Sequence, residues 1–144
     1  MSKIHWLGVG LSAIPGLKML IENDHSVIVY NRTVKKASDA LLGVKGNYQI
    51  VEFSLEAIKK NATAGDVIVS MLPGNFHVPV AELSLSLGAH FVSSSYISDE
   101  MKMLHEESLK KNLCLVNEVG LDPGIDHSMS HALVEDYKNS KVFS

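Results

Sequence analysis

Cysteine is nearly absent from this chain: Cys114 is the only one. No internal disulfide can form, and a reducing compartment, the cytoplasm, is the expected location. Aromatic residues are also few, at 6%, and none are interleaved with basic runs. Charge is not lopsided, since 13 Lys and Arg against 16 Asp and Glu leave a formal net charge of −3. Nucleic acid and anionic membrane surfaces are therefore poor partners. No apolar run reaches the length of a membrane span, and the N-terminus lacks the basic flank and apolar stretch of a signal peptide. There is no internal repeat and no low-complexity linker. Cys114 lies in an apolar run, LCLV, and is expected to be a small buried core residue.

The chain does contain an alternation. Its 144 residues, 46% apolar, suit one domain with an ordinary core. Short runs rich in Val and Ile read as strands over 3–7, 26–31, 48–53, 66–71, 89–93 and 114–117. Between and after them, helical periodicity covers 12–23, 34–42, 54–61, 76–87, 98–112 and 125–137, and the final KVFS resembles the start of another strand. Ser54 and Ser98 are expected as helix caps. Six βα units in a row imply an α/β fold, a doubly wound, mainly parallel sheet with helices on both faces. Ligands in such sheets bind beyond the carboxyl ends of the strands, where strand order reverses. That rule selects residues 8–13, 31–33, 52–54, 71–74, 93–96 and 117–124.

The first of these segments, IHWLGVGLSAIPG (4–16), satisfies G-x-G-x-x-G/A with Gly8, Gly10 and Ala13. Gly8 permits a tight turn, Gly10 lets the backbone approach a pyrophosphate, and Ala13 allows close strand–helix packing. The following helix offers N–H donors and a positive dipole end. This context, strand then loop then helix at the start of a βα series, favours dinucleotide binding over an ordinary glycine turn. The second strand ends in YNRT (30–33). A carboxylate there would bond a ribose 2′-OH, but this chain has Asn31 and Arg32. Arg32 offers a planar charged fork to a 2′-phosphate and Thr33 adds a hydroxyl, so NADP(H) is expected over NAD(H). In MLPGNF (71–76), Leu72 and Pro73 are placed to pack against ribose and nicotinamide, although a plain Pro-Gly turn reads equally well.

NEVGLDPGIDH (117–127) concentrates three carboxylates, two glycines, a proline and a histidine at the sixth strand's end. His127 and His131 share a helix face four residues apart, yet no HExxH or cysteine cluster accompanies them, and no metal is expected. Asp126 is expected to steady the helix start. The remaining histidines show no pattern.

Together, GVGLSAIP (8–15), SSSYISDEM (93–101) and NEVGLDPGIDH resemble the saccharopine dehydrogenase family, particularly its NADP-linked, glutamate-forming type. Asn31-Arg32-Thr33 and DVIVSMLPGNFH (66–77) are similar to the family's second strand and fourth strand-turn. The resemblance implies an NAD(P)-binding Rossmann domain over 1–144 and hydride transfer between NADP(H) and the amine–imine system of an amino-acid substrate in lysine metabolism. It places cofactor contacts at Val9, Gly10, Leu11, Ser12, Asn31, Arg32, Thr33, Glu52, Phe53, Leu72 and Ser94. Substrate contacts fall at Ser95 and Tyr96, and the Asp122-Pro123-Gly124 stretch meets both ligands. Tyr96 and Asp122 correspond to the family's acid–base groups. Asn31 and Val9 depart from a usual cysteine and a frequent serine.

From the residues alone, Tyr96 also reads as a half-buried aromatic packed on the next helix, and Asp122 as a turn aspartate before proline. Burial against a cofactor would raise the Asp122 pKa, and a nearby ammonium would lower it. The family's substrate domain has no counterpart in these residues. The chain is therefore expected to bind nucleotide without turnover by itself, and any homodimer is expected to form through the absent domain. A non-catalytic NADP(H)-sensing module, and a related imine reductase such as carboxynorspermidine dehydrogenase, stand as alternatives.

Overall fold

A computed structural model describes residues 2–139. Six strands form one sheet: β1 (Ile4–Leu7), β2 (Val27–Asn31), β3 (Tyr48–Glu52), β4 (Val67–Ser70), β5 (His90–Ser93) and β6 (Leu115–Val116). The spatial order is β3-β2-β1-β4-β5-β6, and every pairing is parallel. The helices are α1 (Ile14–Glu22), α2 (Val34–Ala40), α3 (Leu55–Asn61), α4 (His77–Leu87), α5 (Asp99–Met103), α6 (His105–Lys110) and α7 (Ile125–Asn139).

Alternation along the strands builds a core on each side of the sheet. Trp6, Val27 and Val29 face Leu17 and Ile21 of α1 and Ala37 of α2. Leu7, Ile28, Tyr30, Ile68 and Phe91 face Ile58 of α3, Val80 and Ala81 of α4, and Met101 of α5. Both faces are thus covered, which explains the nearly unbroken apolar strands. Each fully buried Leu or Phe side chain stabilises the fold by about 1.5–3 kcal/mol relative to exposure. Beyond β3 the chain crosses back to the other side of β1, so the sheet's switch point lies between β1 and β4.

Local chemistry sets the element ends. Ser54 and Ser98 accept hydrogen bonds from the N–H groups of Ala57 and Met101, as capping requires. Gly88 ends α4 in the left-handed region, at φ 71.

Three expectations are corrected. The single helix over 98–112 is two, because Leu104 N–H bonds the Met101 carbonyl three residues back, tightening the turn between α5 and α6. The first helix begins at Ile14 rather than Ser12, since the Gly10 carbonyl accepts from Ala13 and Ile14 and holds 11–13 as a turn. Cys114 is exposed, not buried. It precedes the two-residue edge strand, where Leu115 turns into the core and its neighbours turn outward. The strand expected at KVFS lies outside the described residues.

Candidate functional site

The glycine loop is pinned from three sides. Gly8 N–H donates to the Tyr30 carbonyl at 2.8 Å, and the Trp6 indole N–H donates to the Gly8 carbonyl at 3.0 Å. Met71 N–H donates to the Leu7 carbonyl at 2.8 Å. Gly8 sits at φ 95, and a Cβ there would lie 2.9 Å from the Met71 carbonyl oxygen. Only glycine meets both demands without strain. Gly10 differs, since a Cβ on it would meet nothing within 4 Å. Its backbone therefore borders open space in front of α1, a fit for a pyrophosphate at a helix N-terminus.

That space belongs to a cleft of about 290 Å³ at the switch point. Gly8, Val9 and Gly10 form its floor, Asn31 and Arg32 one end, and Phe53, Met71, Leu72, Pro73 and Phe76 the apolar wall. Phe53 and Phe76 meet edge to face at 5.7 Å between ring centroids. Eight of the sequence-expected cofactor residues thus converge on one cleft: Gly8, Val9, Gly10, Asn31, Arg32, Phe53, Leu72 and Pro73. Others do not line it. Ala13 is 3% exposed and packs in the core behind the loop, so its part is strand–helix packing. Leu11 and Ser12 project into solvent at the loop tip, while Thr33 stands at the N-cap of α2 without a side-chain capping bond. Glu52, opposite Asn31 in the sheet register, is exposed.

Asn31 has a role that spacing did not reveal. Its Oδ1 accepts from Val9 N–H at 3.2 Å, and its Nδ2 donates to the Thr33 carbonyl at 2.9 Å. The carboxamide therefore ties the glycine loop to the end of β2. Lys36, which sequence reasoning missed, shares the cleft with Arg32. A signal for it existed. Lys35 and Lys36 occupy the first turn of α2, which carries no acidic residue, and cations there oppose the helix dipole. A bound anion would relieve that conflict.

A second group of residues gathers at the ends of β5 and β6. Glu118 N–H donates to the Ser95 carbonyl and Val119 N–H to the Ser93 carbonyl, at 3.1 and 3.2 Å. The Ser93 hydroxyl donates to Asn117 Oδ1, and Ile97 N–H donates to Glu118 Oε1. These bonds hold the 117–124 loop against 93–97. The loop brings the Asp122 carboxylate to the Tyr96 hydroxyl, which donates to it. That bond to Asp122, with slight burial and the negative charges of Asp122, Asp126 and Glu118, raises the Tyr96 pKa above its ordinary value. Tyr96 is 62% exposed, so it does not pack as a half-buried aromatic. Pro123 is buried, and a Cβ on Gly124 would collide with the backbone of Gly120. Ser94 packs close to Gly120, where an added Cβ would lie 3.2 Å from the Ser94 Cβ. Asp126 Oδ1 accepts from Gly124 N–H at 2.8 Å, fastening the start of α7.

His77 also escaped the sequence, because a lone histidine at a helix start carries no pattern. It is 5% exposed, with Nδ1 at 3.0 Å from Ser70 Oγ and Nε2 at 2.7 Å from Ser95 Oγ. Burial lowers its pKa. His127 lies 3.8 Å from Asp126, and among the described residues no group of three or more His, Cys, Asp or Glu could hold a metal ion. Among the described residues no helix is long and apolar enough to cross a membrane.

The family model described as the saccharopine dehydrogenase NADP binding domain matches residues 4–116. The chain belongs to that family. Its cofactor is accordingly NADP, and its sheet is the family's Rossmann-like domain. Saccharopine dehydrogenase [NADP(+), L-glutamate-forming] of Saccharomyces cerevisiae is 37% identical over 127 residues, 84% of this chain and 28% of the yeast protein. An alpha-aminoadipic semialdehyde synthase of Arabidopsis thaliana is 34% identical over 85% of this chain and 12% of its own length. The apo structure of the yeast L-Glu-forming saccharopine dehydrogenase superposes with a TM-score of 0.78 at 28% identity, over 94% of this chain and 31% of that one. The chain thus spans under a third of these relatives.

Proposed function

We propose that this domain carries NADP for an oxidoreductase acting on the CH–NH bond of saccharopine, in lysine metabolism. The observation that carries the reading is the Tyr96–Asp122 pair, held at the same sheet edge as the glycine-loop cleft. When bound, NADP+ would supply the hydride acceptor, and the overall reaction would turn saccharopine, NADP+ and water into glutamate, aminoadipate semialdehyde, NADPH and a proton.

The chain's own residues serve that sequence by position. Arg32 and Lys36 face the adenosine end, where a 2′-phosphate needs cations. Leu72 and Pro73 give the nicotinamide end an apolar wall that keeps water off the transferred hydride. Tyr96 keeps its proton, and the Asp122 carboxylate accepts from it. While that bond stands the pair offers only acceptors; once substrate parts the two groups, Tyr96 becomes a donor and Asp122 an acceptor for the nitrogen and oxygen atoms that exchange protons. Ser95 contacts the substrate.

The reading is tested with the domain joined to the substrate-binding part of the yeast relative. Saccharopine with NADP+ should generate NADPH, and Asp122→Ala should lower kcat by about 10²–10⁴-fold. Unchanged turnover in Asp122→Ala would remove Asp122 from acid–base work.

A second reading, an NADP(H)-binding module without turnover, is favoured by one observation. Tyr96 and Asp122 are both exposed to solvent, whereas hydride transfer to an imine wants water excluded. Even when joined to that substrate-binding part, the domain should then bind NADPH and show no turnover with saccharopine. We place the domain in the cytoplasm, on the argument of a single free cysteine, and assign any homodimer contact to the substrate-binding part.

A further inference from the structure

Ser70, His77 and Ser95 form a chain of side chains that runs from inside the sheet to its ligand edge. Ser70 closes β4 and is 0% exposed, and among the described residues its hydroxyl has no hydrogen-bond partner other than His77 Nδ1, at 3.0 Å. A buried hydroxyl left without an acceptor costs about 1–3 kcal/mol. The Ser70 O–H therefore donates to Nδ1. A neutral imidazole whose Nδ1 accepts carries its proton on Nε2. That Nε2–H points at Ser95 Oγ, 2.7 Å away, and makes it an acceptor. With a lone pair of Ser95 Oγ occupied by His77, the Ser95 hydrogen turns away from the ring. Burial, which lowers the His77 pKa, keeps the ring in this single-proton form near neutral pH. The opposite tautomer would strand the Ser70 proton and spend the Ser95 hydrogen on the ring.

We propose that His77 is a positioning residue, a fixed Nε2–H tautomer set by Ser70 that presents the Ser95 hydroxyl as a hydrogen-bond donor to the ligand. The group it suits is an anionic oxygen, a carboxylate of the amino-acid substrate, and this assignment rests on the reading of Ser95 as a substrate contact. Because Ser95 directly precedes Tyr96, the two hydroxyls stand on the same loop, where both can bear on one substrate.

The test is two-bond ¹H–¹⁵N correlation of the imidazole rings in this chain at neutral pH, with His77 assigned from the signals lost in His77→Gln. A pyrrole-type Nε2 and a pyridine-type Nδ1 are expected. An Nδ1–H tautomer, or a ring protonated on both nitrogens, would overturn the proposal. Ser70→Ala should release the ring into a mixture of tautomers, and a Ser70→Ala spectrum identical to wild type would also overturn it, since a purely packing role leaves the tautomer unmoved. Adding saccharopine with NADP+ to the domain joined to the substrate-binding part of the yeast relative supplies the second arm. A shift of the Ser95 amide and His77 Nε2 supports the carboxylate assignment. An Nε2–H tautomer with Ser95 unmoved at saturating saccharopine would leave the relay standing and overturn the substrate contact.

Discussion

The hydroxyl of Tyr96 donates to the carboxylate of Asp122, 26 residues further along the chain. Neither residue is fixed by the core, since both are exposed. Backbone bonds between 93–95 and 118–119 bring them together. The Asp122 bond and charge raise the Tyr96 pKa, so removing the charge should lower it. Asp122→Asn should move the Tyr96 titration down toward the ordinary tyrosine value of about 10, followed by the Tyr96 ring signals in NMR as pH rises. An unmoved titration would mean that the pair is not formed in solution.

Asn31 links loop and strand through Val9 N–H and the Thr33 carbonyl. Two such bonds contribute about 1 kcal/mol each. Asn31→Ala should therefore weaken NADPH and NADH alike, by about fivefold to thirtyfold, because it loosens the pyrophosphate loop and not the 2′ end. Asn31→Asp keeps the acceptor for Val9 but sets a negative charge beside Arg32, and should shift preference toward NADH. Calorimetric titration of both nucleotides against both variants distinguishes the two effects.

The parallel sheet and the glycine loop were legible in the sequence because each rests on local chemistry: apolar runs of strand length, Ser caps and a G-x-G-x-x-A turn; the strand order came only from the structure. The same is true of Arg32 and of the 117–127 loop, whose position follows from the βα alternation. What the sequence hid depends on side chains meeting across the sheet. Asn31 reaching back to Val9, His77 bridging Ser70 and Ser95, and His5 bonding both Tyr30 and Asp66 are contacts between residues 7 to 61 positions apart. Periodicity carries no trace of them. The break at Leu104 was hidden for another reason: helix propensity is continuous across 98–112, and one i to i−3 hydrogen bond decides the break.

The buried His5–Asp66 pair makes stability depend on acid. Burial lowers the His5 pKa, and the bond and charge of Asp66 only partly offset this. Burial would raise Asp66, but backbone N–H bonds from Lys3 and Thr63, with side-chain bonds from His5 and Thr63, outweigh it and hold the carboxyl below 3.8. In both cases the unfolded chain binds protons more readily than the folded one. Stability is thus fully present above the unfolded histidine value of about 6.5 and falls as pH drops toward the folded value of His5. A second loss follows below 3.8 as Asp66 protonates. Urea midpoints measured between neutral and acid pH should show both phases, and His5→Gln should flatten the upper one in part, because buried His77 contributes to it as well. An upper phase as steep in His5→Gln as in wild type would assign it elsewhere.

Arg32 and Lys36 line the cleft between the glycine loop and the β4 turn, and we propose that they hold the 2′-phosphate of NADP there. Fluorescence titration of this chain with NADPH and NADH, repeated on Arg32→Ala/Lys36→Ala, tests it directly. NADPH should bind at least about tenfold tighter than NADH, a difference of about 1.4 kcal/mol, and the double variant should lose this preference while keeping its NADH affinity. Equal affinity of the unaltered chain for the two nucleotides would contradict the assignment.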